Sequence, residues 1–339
     1  MKKGLFLSVL IMIFTLAVTP VFSEDTINGY LIPEYYMISS QNEAIDGQHG
    51  LWLRRIYFGY DTDLGEGWSA RVRFEMNTKA FAADKMVPYI KNAHIQKKLT
   101  STLSLIVGII DPPSFDLTEK FWDMRHIEKT TPDLFKFASS RDFGLGLNGK
   151  MKSGLNFSLM FGNYGGEAGD SNKGKAVYGR LGFENKSLFL DLNGHMAANN
   201  GTDITYLSAF AGLKGDWGRA GAGYIYRNDK PETGESKNNG AIWGLAAFNL
   251  SKKAEFYARY DHLTDVHMRG NIGDFLPILS KDNKARVVMS GVRIKLHKLI
   301  EVIPNIKYVF YSEGPSGIKP KADFHILLTG FIKFKSTIL

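Results

Sequence analysis

Trp68-Ser69-Ala70-Arg71-Val72-Arg73-Phe74-Glu75-Met76-Asn77 alternates strictly between two kinds of side chain. Ala70, Val72, Phe74 and Met76 point one way, while Ser69, Arg71, Arg73 and Glu75 point the other, because successive strand residues face opposite sides. One face is therefore wholly apolar and its reverse is charged. In a soluble sheet the apolar face needs a second layer of protein, and this chain has no helical or second-sheet candidate to supply it. Lipid can cover that face instead, so the stretch reads as one strand of a transmembrane β-barrel.

The same rhythm recurs along the chain, at approximately 27–40, 51–61, 68–77, 89–97, 102–110, 142–149, 155–163, 175–184, 188–195, 205–214, 219–227, 241–250, 255–262, 284–296, 304–311 and 321–334. Connections rich in Gly, Asp, Asn, Ser and Lys, such as Thr62–Gly67, Lys98–Ser101, Lys150–Gly154 and Asn185–Ser187, read as tight turns. Between them fall longer segments such as Thr78–Pro88, Tyr164–Gly174, Asn228–Gly240 and Leu263–Asn283. Short turns on one side and long loops on the other are the pattern of a bacterial outer-membrane barrel. The expectation is an all-β, antiparallel barrel of 16 strands; 14 or 18 would follow if one hairpin were merged or split.

The ends support export. Lys2 and Lys3 precede an apolar run from Leu5 to Val18, and Val21 and Ser23 supply small residues where a signal peptidase cuts, so 1–23 reads as a signal peptide and 24–339 as one barrel domain. No later run approaches the roughly 20 apolar residues of a spanning helix. The absence of cysteine suits an oxidising compartment, and the 13% aromatic share suits interfacial girdles. The net charge of +8 points to small anionic or neutral solutes and to lipid and lipopolysaccharide as neighbours; no basic run interleaved with aromatics suggests nucleic acid, and no motif calls for a cofactor.

The longest break in the rhythm runs from Asp111 to Arg141. Pro112 and Pro113 stop the preceding strand, and the middle can form a short helical turn. A connection of about 30 residues is usually functional. As the third long loop it is expected to fold into the lumen and narrow it, carrying Arg125, His126, Lys129 and Lys136 with Asp123 and Glu128 as counter-charges.

Two stretches here resemble the phosphate-selective porin O and P family. The first is Leu51-Trp52-Leu53-Arg54-Arg55-Ile56-Tyr57-Phe58-Gly59-Tyr60 with Gly67 to Glu75. The second is Ile106-Val107-Gly108-Ile109-Ile110-Asp111-Pro112-Pro113-Ser114-Phe115, continuing through Trp122-Asp123-Met124-Arg125 to Ser140-Arg141-Asp142-Phe143-Gly144. The likeness spans roughly the first half of the mature chain and is carried mostly by architectural motifs. It implies a 16-stranded outer-membrane channel, commonly trimeric, with anion-selective members. The full arginine ladder and the phosphate-binding loop motif of that family have no counterpart here.

Alternation assigns the lumenal charges. Arg55, Tyr57 and Asp61 face in opposite Ile56, Phe58 and Tyr60, and Arg54 falls at a rim or a bulge. Arg71, Arg73 and Glu75 share a lumenal face, as do Arg180, Arg259, Arg293, Lys295 and Lys307 on their own strands. A lipid-facing Arg or Lys costs about 2–4 kcal/mol at the bilayer midplane, which nearly forces this orientation. Two purposes stay open for each cation: attracting anions into a narrow pore, or holding the wall together in pairs such as Arg71 or Arg73 with Glu75 and Arg259 with Asp261. Because these cations outnumber Glu75, Asp61 and Asp191, a weakly anion-selective pore is expected.

Gly144-Leu145-Gly146-Leu147-Asn148-Gly149 matches G-x-G-x-x-G but sits in a strand, where no phosphate cradle forms. His262 and His267 with Asp261 and Asp265 are better read as solvated than as metal ligands. A non-channel surface or adhesin-type barrel is the alternative to a porin. A barrel-wall hydrolase built from Ser290 or Ser208 with His195 or His325 has no spacing in its favour.

Overall fold

The computed structural model describes residues 25–78, 85–170, 173–266, 282–314 and 316–338. The expected signal peptide, His267 and part of the Leu263–Asn283 connection lie outside the described residues. Sixteen antiparallel strands form one closed barrel. They are β1 (Asp25–Ser39), β2 (His49–Gly65), β3 (Trp68–Asn77), β4 (Val87–Lys98), β5 (Leu103–Ile110), β6 (Asp142–Lys150), β7 (Leu155–Gly162) and β8 (Lys175–Glu184). The second half comprises β9 (Leu188–Asn199), β10 (Thr202–Gly215), β11 (Gly218–Pro231), β12 (Lys237–Asn249), β13 (Ala254–Leu263), β14 (Ala285–His297), β15 (Ile300–Tyr311) and β16 (Asp323–Ile338). β1 pairs with β16 from Asp25↔Ile338 to Ser39↔Phe324, so the sheet has no open edge. Phe334 packs toward Phe58 on the outer face, and β16 continues past it in the same alternation.

Closure sorts the side chains. On β9, Leu190, Leu192 and Met196 are exposed on the outside, whereas Asp191, Asn193 and His195 are buried inside. The outer face of the other strands is likewise apolar, with Leu159, Phe161, Val177, Leu181 and Leu207 all more than half exposed. At roughly 25 cal/mol per Å² of apolar surface, such a belt is stable only where hydrocarbon replaces water. Among the described residues no helix is long and apolar enough to cross a membrane; the strands make the crossing. Trp68 under Lys97 (4.9 Å) and Trp217 beside Phe248 (5.9 Å) mark an aromatic girdle at the short-turn end.

The loop-length rhythm departs from expectation at two connections, the expected long loop Asn228–Gly240 being reduced to 232–236 between β11 and β12. Strands β9 and β10 run on past their expected ends and meet at Asn200 and Gly201, both with positive φ (48° and 73°). Asn-Gly suits a two-residue hairpin turn whose twist matches the flanking strands. This connection is therefore short on the side where most of the others are long.

Among the described residues four register shifts occur between neighbouring strands, and two of them bring an extra polar residue inside. Opposite Ile32 and Pro33 the β1–β2 register skips one residue, Arg54. Proline gives the ladder no N–H, and a bulge accommodates that loss. Between β3 and β4 the register skips Lys91. In each case two consecutive polar residues, Arg54–Arg55 and Lys91–Asn92, are buried inside the barrel.

Candidate functional site: the third loop and the lumen it divides

Residues 111–141 fold inside the ring of strands. Two short helices punctuate the loop: α1 (Asp116–Trp122) and α2 (Thr131–Leu134), the latter begun by Pro132. Phe115, Leu117, Phe121, Trp122, Met124, Ile127, Leu134 and Phe135 are buried and join Phe189, Tyr206, Phe210, Trp243, Leu245, Tyr257, Met289 and Phe331 of the wall in one apolar cluster. Phe121 meets Phe189 at 4.8 Å and Phe210 at 5.1 Å between ring centres. Glycines open the space: a Cβ on Gly212 would stand 2.4 Å from the Phe121 ring, and one on Gly182 would stand 2.5 Å from Leu117.

The wall holds the loop largely by its backbone. Arg54 donates to the carbonyls of Ile127 (2.9 Å) and His126. Arg219 donates to Trp122 O (2.9 Å), Arg227 to Phe137 O (2.8 Å) and Arg293 to Asp123 O (3.1 Å). Lys307 donates to Ile127 O (3.1 Å), and Arg259 donates to Lys129 O. Six cations from β2, β11, β13, β14 and β15 thus grip one loop. Most also carry a carboxylate partner, as in Arg259–Asp261 (2.7 Å), Lys307–Glu128 (2.8 Å), Arg293–Glu255 (2.9 Å) and Arg219–Glu255 (2.5 Å). Thr118 and Thr131 donate to Asp191 and Asp261, both at 2.8 Å. A charged donor to a carbonyl is stronger than a neutral one, and every loop carbonyl so held is a buried acceptor satisfied.

The cations expected in the lumen therefore divide into two sets. Arg259, Arg293 and Lys307 are buried loop anchors. Arg180 is mostly buried too, held by Asp116 of α1 and by Ser158 (3.0 Å). His126 stacks on Phe331 with ring centres 4.1 Å apart. Arg55 is buried against Glu75 (3.0 Å), which also takes Lys91 (3.3 Å) and the Tyr57 hydroxyl (2.6 Å). Glu75 is thus served by Arg55 and Lys91 rather than by Arg71 or Arg73. Arg71, 36% exposed in its side chain, pairs with Asp61. Arg73 makes no ion pair among the described residues and stands 6.0 Å from the Tyr57 ring. Arg125, 21% exposed, bridges Glu119 (3.1 Å) and Asp133 (3.3 Å) of its own loop. Lys129 is half-buried on the loop, and Lys295 is exposed at the short-turn rim.

Several loop carboxylates turn toward open space, as does Lys120 of α1, 59% exposed. In Arg293–Asp123 the arginine is 7% exposed and the aspartate 63%; in Arg180–Asp116 the values are 9% and 44%. Arg141 and Asp111 repeat the pattern. The remaining room lies along β2–β8. One cavity of about 610 Å³ lies between α1 and the inner ends of β4–β8, a second of about 350 Å³ is lined by Asp61, Arg71 and His94, and a third of about 200 Å³ by Asp111, Pro113 and Ser158. The loop packs the β9–β16 side with apolar and ion-paired side chains, and these polar cavities lie on the β2–β8 side.

Lys91, Arg141, Arg219 and Arg227 are lumenal cations that the sequence reading did not single out. Arg219 and Arg227 follow simple alternation on β11 and were open to it; Lys91 is hidden by its bulge. Of the alternative sites, Asp261 is committed to Arg259 and Thr131. Ser290 is on the outer phase of β14, its hydroxyl donating to Tyr257 O (2.9 Å). His195 is packed among Tyr164, Tyr178 and Tyr206.

Burial, reinforced by the nearby charges of Arg293, Arg54 and Lys333, holds the His126 imidazole well below the usual 6.5. The folded protein keeps this ring neutral, while the unfolded chain protonates it near 6.5. Its contribution is therefore complete above that pH and shrinks as pH falls beneath it. The denaturation midpoint is expected to drop between pH 7 and pH 5, and His126→Phe, which keeps the stack on Phe331, to flatten that drop.

No protein-family model matches the chain, and no curated protein matches it. Solved structures do. An anion-selective porin from Comamonas acidovorans superposes with a TM-score of 0.70 at 13% identity, covering 92% of this chain and 100% of that one. OmpF of Salmonella typhi gives 0.64 at 13% identity (91% and 97%), and the outer-membrane channel DcaP of Acinetobacter baumannii gives 0.64 at 10% (92% and 97%). The resemblance to the O and P phosphate porins is thus met at the level of the barrel and not of that family. The chain has the fold of the 16-stranded outer-membrane porins.

Proposed function

We propose that this protein is an outer-membrane porin, a passive channel for small hydrophilic solutes with a weak preference for anions. The observation that carries the reading is the division of the lumen. A loop anchored to one side of a lipid-facing barrel leaves polar cavities on the other, and a structural or adhesive barrel has no need of them. Arg71, Arg73 and Arg125 are the cations a passing solute meets, with Arg55 and Lys91 behind them around Glu75. The carboxylates of Asp111, Asp116, Glu119 and Asp123 face them from the loop, which keeps the preference weak and admits oxyanions, phosphate among them, without demanding them. Export after removal of 1–23, contact with outer-membrane lipid and lipopolysaccharide, and a homotrimer complete the reading; one of the matching structures is a trimer form of OmpT from Vibrio cholerae.

Purified protein in a planar bilayer is expected to give stepwise conductance, and a salt gradient to give a reversal potential on the anion side. Absence of steps sinks the proposal. Arg73→Glu changes the lumenal charge by two units at a cation with no counter-ion, and is expected to lower the chloride-to-potassium permeability ratio by roughly two- to fivefold.

A further inference from the structure

The cavity of about 610 Å³ under α1 differs from the rest of the lumen in what its side chains leave undone. Elsewhere the inward cations are largely spent on carboxylates or on the loop. Here Gln96, Ser104 and Asn148 line the wall, and none of their side chains has a hydrogen-bond partner among the described residues. Lys98 and Lys150 stand at its rim, exposed and without an ion pair among the described residues. The other charges bordering it are already matched: Asp116 by Arg180, and Glu184 by Lys120 (2.7 Å) and Lys214 (2.8 Å). Leu117 adds a small apolar surface.

We propose that this vestibule is a binding site for sugar acids, compact polyhydroxylated molecules carrying one carboxylate. Amide and hydroxyl side chains each offer both a donor and an acceptor, which is what a solute hydroxyl requires. An inorganic oxyanion would satisfy the two lysines and the amide and hydroxyl donors but leave most of the acceptors of those groups without a donor. A neutral sugar would satisfy those groups but leave both ammonium groups unanswered. A carboxylate at Lys98 and Lys150, hydroxyls at Gln96, Ser104 and Asn148, and the C–H face of the molecule on Leu117 use these groups together. The site stands at the short-turn end, so a solute that has passed the loop is held there before release. The proposal deepens the porin reading and depends on it only for delivery of the solute.

Calorimetry on the detergent-solubilised full-length protein tests it without requiring conductance. Gluconate is expected to bind at least tenfold more tightly than glucose or inorganic phosphate. Lys98→Gln combined with Lys150→Gln, both at the exposed rim, is expected to reduce gluconate to the level of glucose. Gln96→Ala with Asn148→Ala is expected to weaken gluconate and glucose together. Equal binding of gluconate and phosphate, or a double lysine variant with unchanged gluconate affinity, overturns the site. A protein that binds gluconate but gives no stepwise conductance refutes the channel and leaves the site standing.

Discussion

Replacing Lys307 by Met is expected to destabilise the protein by about 3–5 kcal/mol, the usual consequence of removing one partner of a buried pair. Lys307 and Glu128 both have fully buried side chains, 2.8 Å apart. The variant leaves the Glu128 carboxylate without its ammonium in a closed interior and removes one of the two side-chain donors, Lys307 and Arg54, that hold the Ile127 carbonyl. Because Glu128 belongs to the loop and Lys307 to the wall, the loss falls on their junction. Single-channel conductance is therefore expected to become larger and noisier as the loop leaves the wall. Adding Glu128→Leu removes the stranded charge and is expected to recover much of the stability, since an apolar pair of similar volume commonly matches a buried ion pair. Chemical denaturation and bilayer recordings on the two variants check both statements.

Trp122→Ala carries an expected cost of about 3–5 kcal/mol, as for large aromatic residues deleted from a packed interior. Trp122 is fully buried, meets Tyr257 edge-on at 5.7 Å and donates its indole N–H to Glu128 O (2.9 Å). Arg259 stands over its ring at 5.4 Å. The substitution thus removes apolar contact, a hydrogen bond inside the loop and a cation–π contact to the wall at once. Conductance is expected to rise here as well, while selectivity changes little, because the β2–β4 cations are untouched. A variant with native stability and native conductance would show that the loop is held without its apolar centre.

Strand positions were legible because a barrel imposes one rule, apolar outward and polar inward, at every second residue. The rule says where a side chain points and nothing about what it meets. Arg259 was correctly turned inward, yet its principal contacts are a loop 128 to 130 residues away and Asp261 beside it. Backbone carbonyls, the acceptors that six lumenal cations reach, carry no signature in a residue pattern. Bulges fail for a different reason: one added residue puts Arg54 beside Arg55 and Lys91 beside Asn92 on the same face, where strict alternation separates them. The Asn200-Gly201 hairpin was readable from its dipeptide, but expecting a long loop there obscured it. Chain distance was no obstacle to placing 111–141 inside, since its length and its place as the third long loop pointed to it.

The wall's grip on backbone carbonyls has a consequence for how such a channel diversifies. A carbonyl is present whatever the side chain, so a residue such as Lys129 can change identity without releasing the arginine that holds its carbonyl. The bore is inherited from the wall, while the chemistry of its lining is free to drift one residue at a time. New solute preferences can therefore arise on this loop without passing through an unfolded or gaping intermediate.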